Sequence, residues 1–131
     1  MKSIGLIITA IAAAFAIVSC AGEGELCRRY RTETSINQSG VPEGLRGLIP
    51  LALKWGAGDP ALRDALERSM TSDEWRELRE SIHGKTAEIE EWLDAARKSG
   101  RWTAEACAFR FLLEFYDDMK DLQLMKALKK Q

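Results

Sequence analysis

A chain of 131 residues with 19 basic and 20 acidic side chains, a net charge of −1 and 46% hydrophobic residues can build one small domain around a single core. Its charge is balanced and contains no Lys/Arg-rich block, which leaves no electrostatic footprint for nucleic acid. Alternating β-branched runs are missing, so a β fold has little to build on, and a single histidine leaves little for acid–base chemistry.

The first stretch, Met1–Cys20, has a positive start at Lys2, an uncharged apolar run from Ile4 to Val18 and small residues at its end. This is the layout of a secretory signal peptide. Its last four residues, Ile17-Val18-Ser19-Cys20, resemble the lipobox of bacterial lipoproteins. The resemblance covers only this first fifth of the chain and implies lipidation at Cys20 with cleavage before it. The implied division is a signal peptide over 1–19, a lipidated cysteine with tether and docked segment over 20–40, and a helical domain over 41–131. It also implies attachment to a cell-envelope membrane through a lipid anchor. Ala21 stands where an aspartate would resemble an inner-membrane retention signal, so in a Gram-negative host the resemblance favours the outer membrane, facing the periplasm. Two other readings stay open. Ser3–Gly22 is twenty residues without a charge, and about 20 apolar residues suffice to span a bilayer if retained. Cleavage near Ala14-Phe15-Ala16 would instead release a soluble chain.

The chain holds three cysteines. With Cys20 as lipid carrier, Cys27 and Cys107 remain, and in an oxidising envelope they can form a disulfide. Two free buried thiols are the alternative, because sequence alone does not bring two Cα atoms together. If Cys27 is pinned to the domain, the free tether is Ala21–Leu26, whose six residues reach at most about 20 Å.

Past residue 40 the pattern is helical. Pro42 and Pro50 suit first helical turns, which suggests short helical segments at Glu43–Ile49 and Pro50–Lys54. Asp59-Pro60 is a start signal for a helix over Pro60–Ser69, with Ala61, Leu62, Ala65 and Leu66 facing inward. Thr71-Ser72-Asp73-Glu74 reads as a capping box that opens a helix from Ser72 to Lys98, with Trp75, Leu78, Ile82, Thr86, Ile89, Leu93 and Ala96 on one face. Gly84 falls opposite that stripe, where a bend or break at His83-Gly84 is plausible. Thr103 caps a last helix, Ala104–Lys129, whose wide apolar arc includes Ala108, Phe109, Leu112, Phe115 and Met119. The fold class expected is a small all-α bundle of four to five helices.

Candidate sites are sparse. Glu80-Ser81-Ile82-His83 contains Glu-x-x-His, but a di-iron bundle needs two such motifs and two further glutamates. No metal site, cofactor or catalytic residue is expected. On the last helix, Glu114, Asp117, Asp118 and Asp121 cluster within an arc of about 100°. Such a surface suits a basic partner or a divalent cation, and is also what a plain solvated face looks like. Beyond Leu122 the apolar phase shifts, so that Leu124, Met125 and Leu128 project toward the acidic side. Either a bend or the N-terminal segment covers them, or they form an exposed patch for a partner or for self-association. The functional expectation is a non-catalytic, membrane-anchored lipoprotein whose helical domain binds a protein partner, with a small-ligand or divalent-metal-binding domain as the alternative.

Overall fold

The computed structural model describes Cys27 and residues 36–129, and among these every regular element is helical. The signal segment, Cys20, the tether up to Leu26, and the arginines at 28, 29 and 31 lie outside the described residues. Two 3₁₀ segments, Gln38–Gly40 and Glu43–Leu48, lead into five α-helices. These are α1 (Ile49–Trp55), α2 (Pro60–Ser69), α3 (Ser72–Ile82), α4 (Thr86–Ser99) and α5 (Ala104–Lys129).

The last helix is the centre. Its residues Ala106–Phe109, Phe111, Leu112, Phe115, Tyr116 and Met119 are all buried, and Phe109, Leu112 and Phe115 are sealed completely. A helix apolar over so wide an arc must be covered from several sides, and each of the other elements supplies one cover. Trp55 of α1 stacks on Phe115 with ring centroids 5.4 Å apart. Trp75 of α3 stacks on Tyr116 at 5.7 Å, and Trp92 of α4 meets Phe109 edge-on at 5.2 Å. Three of the four tryptophans are thus packing residues against α5, each adding about 0.5–1.5 kcal/mol beyond simple burial.

Local chemistry explains the element ends. Pro50 sits in the first turn of α1, where its missing N–H breaks no hydrogen bond. The helix stops at Gly56, where an added Cβ would lie 2.7 Å from the Ala108 carbonyl oxygen. Only glycine allows this corner to rest directly on the α5 backbone. Asp59 accepts from the amides of Ala61 and Leu62 at 2.8 and 3.3 Å, capping α2. The Thr71 hydroxyl accepts from the Glu74 amide while the Glu74 carboxylate accepts from the Thr71 amide, both at 3.1 Å, which is the reciprocal capping box read in the sequence. Thr103 accepts from the Ala106 amide at 3.2 Å and starts α5.

Two expectations need correction. The continuous helix Ser72–Lys98 is two helices, α3 and α4, separated by His83, Gly84 and Lys85. Gly84 has φ +80°, in the left-handed region that a side chain disfavours. The stripe nevertheless keeps one inward side: Leu78, Ile82, Ile89, Leu93 and Ala96 are all buried. The second correction concerns α2, none of whose residues is buried. Ala61, Leu62 and Ala65 are exposed, and of the four predicted inward residues only Leu66 packs on the core. The face turned to the bundle carries Arg63, Leu66 and Glu67: Leu66 packs on the core and Arg63 pairs with Glu114 of α5.

Cys27 and Cys107 are joined by a disulfide with Cα atoms 5.2 Å apart, and both are almost fully buried. The Trp102 indole N–H donates to both sulfurs, at 2.8 and 3.0 Å, and the Arg97 guanidinium lies 5.5 Å from the indole ring. A cross-link closing a loop of 80 residues restricts the unfolded chain strongly. Replacing both cysteines by alanine is therefore expected to lower the unfolding free energy by about 4–5 kcal/mol. Urea denaturation followed by far-UV circular dichroism measures this; a loss below about 1 kcal/mol would mean that packing alone holds this segment.

Candidate functional site

Past Met119 no residue of α5 is buried. Leu122 is still half-covered, but Leu124, Met125 and Leu128 are 60%, 58% and 61% exposed. The phase shift read in the sequence is therefore real in the fold, and no described segment covers these three side chains. At 1.5 Å per residue, the stretch from Lys120 to Lys129 extends about 15 Å. Scattered exposed leucines are ordinary on a protein surface, but three on one short helical stretch form a patch.

The acidic residues beside this patch do not form one uniform face. Glu114 is half-buried and accepts from Arg63 Nη2 of α2 at 3.0 Å and from Arg110 Nε at 3.2 Å. Asp118 lies 3.7 Å from Arg63 Nη1. The Arg63 side chain is 22% exposed, and its Nε is buried without a hydrogen-bond partner among the described residues. Glu67 adds to the same crowd: burial, then Asp118 and Asp64, raise its carboxyl above the usual 4.5, against the pull of Arg63. Two of the four acidic positions are thus compensated from within by a residue that sequence reasoning did not assign to them. The only hint was the uneven charge pattern of α2.

Asp117 and Asp121 remain exposed. Asp117 turns toward α4, where burial, the largest cause, and the nearby carboxylates of Glu90, Asp121 and Asp118 raise its carboxyl above 3.8 while Lys120 lowers it. Here the break between α3 and α4 opens a cleft of about 280 Å³ against α5, lined by His83, Thr86, Glu90, Tyr116, Asp117 and Lys120. Sequence reasoning missed this cleft, because its residues come from three helices and periodicity places each helix by itself. Glu80, the other half of Glu-x-x-His, is exposed. Among the described residues no three His, Cys, Asp or Glu side chains are arranged to hold a metal ion.

Comparison with protein-family models, curated proteins and solved structures finds no match for this chain. The site is therefore read from its geometry alone. That geometry offers a bare apolar patch, a partly compensated acidic flank and a small polar cleft, all on or beside α5. Among the described residues no helix is long and apolar enough to cross a membrane.

Arg63 is the residue that makes this acidic flank tolerable. Arg63→Met is expected to cost about 1 kcal/mol at pH 7, since it removes the cross-helix partner of the half-buried Glu114 and of Asp118. Glu67→Gln tests the opposite sign. A carboxyl raised in the folded state binds protons more tightly there than in the unfolded chain, so stability falls as pH climbs from 4.5 through the raised value. The glutamine variant removes that fall and is the more stable form at pH 7. Thermal melts of both variants between pH 3 and 7 provide the measurement.

Proposed function

We propose that this protein is a cell-envelope lipoprotein, anchored by a lipid on Cys20, whose helical domain binds a protein partner at the membrane surface without catalysis. Adaptor, inhibitor and immunity-type roles all fit this description. The carrying observation is the exposed cluster Leu124, Met125 and Leu128 at the end of α5. Apolar side chains left uncovered on a helix, with acidic neighbours at Asp117 and Asp121, match a partner segment that offers apolar anchors flanked by basic residues. Complementary charge would steer the encounter and the apolar contact would hold it.

The disulfide supports the anchoring half of the reading. With Cys27 bonded to Cys107, six residues separate the lipidated cysteine from a fixed point in the domain. Such a tether reaches at most about 20 Å and keeps the partner surface close to the bilayer. The catalytic alternative has little to draw on, since the single histidine, His83, is exposed at the helix break and Cys107 is held in the disulfide.

Crosslinking in native membranes, followed by identification of the captured proteins, tests this. A Leu124→Glu/Leu128→Glu variant is expected to lose its crosslinks by about tenfold or more while keeping its far-UV spectrum. Unchanged partners in that variant would remove the patch from the reading. Cys20→Ser is expected to abolish fatty-acid labelling and cleavage before residue 20; labelling that persists would overturn the anchor.

A further inference from the structure

The cleft at the α3–α4 break has features that the patch does not explain. Two carboxylates from different helices, Glu90 of α4 and Asp117 of α5, line it together. Among the described residues neither is in an ion pair within 4.0 Å. Among the described residues of the wall Lys120 is the one lysine or arginine, with His83 also present, and Glu90, Asp117 and Lys120 together carry a net negative charge. Tyr116 is only 8% exposed and its ring is fixed by Trp75, yet its hydroxyl makes no hydrogen bond to a described residue and is not sealed from water. Tyr116, packed along its ring and open at its tip, is one of the residues that line the cleft. Thr86 adds a second hydroxyl, and Leu113 is the apolar member of an otherwise largely polar wall.

We propose that this cleft receives the guanidinium group of an arginine side chain from the partner protein. The proposal rests on the partner-binding reading above and gives that partner a chemical signature. A guanidinium carries five N–H donors in a planar fork. It can donate to Glu90 and Asp117 at once and still offer N–H groups to the Tyr116 and Thr86 oxygens. An ammonium is a compact, strongly hydrated point charge, and Lys120 already places one in this cleft. Size agrees: pockets for drug-sized ligands span about 300–1,000 Å³, and a cleft of about 280 Å³ takes a single side chain more readily than a cofactor. Burial raises the Asp117 carboxyl against the pull of Lys120, with Glu90, Asp121 and Asp118 adding to the rise, and a cation held beside it would favour the ionised form.

The test titrates N-acetyl-arginine amide into the full-length protein in detergent micelles, followed by NMR at Thr86, Tyr116 and Asp117. Free arginine and N-acetyl-citrulline amide, which is isosteric but uncharged, are run beside it. The blocked arginine is expected to saturate at millimolar concentration, with citrulline at least about tenfold weaker. Glu90→Gln and Asp117→Asn should each weaken the blocked arginine by about tenfold, and Tyr116→Phe by a smaller factor, with far-UV spectra and thermal midpoints unchanged. Equal binding of citrulline, or full binding by both carboxylate variants, overturns the proposal. Binding of free arginine without the blocked form also overturns it, in favour of a small-molecule site. If blocked arginine fails to bind while membrane crosslinks persist in both variants, the cleft proposal falls and the partner reading stands. If the wild-type protein captures no partner, the partner reading itself falls.

Discussion

The whole domain depends on covering one helix. Between Ala106 and Met119, α5 presents apolar side chains around most of its circumference, and leaving them in water would cost about 1.5–3 kcal/mol for each large one. No single neighbour can cover such an arc. The solution is a ring of short elements, each giving one aromatic or aliphatic contact: Trp55 from α1, Trp75 from α3 and Trp92 from α4. None of these is long enough to be a stable helix alone, and each forms because α5 rewards its burial. The break at Gly84 belongs to this arrangement, since it divides one long amphipathic stretch into two pieces that each reach α5.

Where the apolar arc ends, the chemistry changes. Beyond Met119 the helix continues without a covering element, and its leucines are bare. On one flank Arg63 crosses from α2 to hold Glu114 and Asp118; on another, Glu90 and Asp117 share a polar cleft. The structural and candidate binding parts of the protein therefore lie on the same helix, in succession. A substitution in the core half should act through stability, and one in the outer half through contacts with other molecules.

Much of this was legible in the residues themselves. Caps are local chemistry, so Asp59, the Thr71/Glu74 box and Thr103 were readable from a few neighbouring positions, as was the apolar arc of α5. The Cys27–Cys107 disulfide was one of two readings that counting thiols allowed once Cys20 is set aside as the lipid carrier, and free buried thiols were the other. The rotation of α2 was not legible, because its apolar residues are few and the Arg63–Glu114 pair joining it to α5 is a long-range contact. The helix read over Ser72–Lys98 divides at His83-Gly84, where a bend or break was expected; the glycine marked the place, since the apolar stripe itself continues past it. The cleft was invisible because it exists only when His83, Glu90 and Asp117 are brought together from separate helices.

The disulfide also determines how the domain would carry load. Under the proposed anchoring, tension from the bilayer enters at Cys27 and crosses directly to Cys107, near the start of α5. A partner held at Leu124–Leu128 pulls at the other end of the same helix, about 26–32 Å away. Force would then run along one continuous rod of backbone hydrogen bonds and bypass α1 to α4. The four covering helices would then lie outside the direct path of the load.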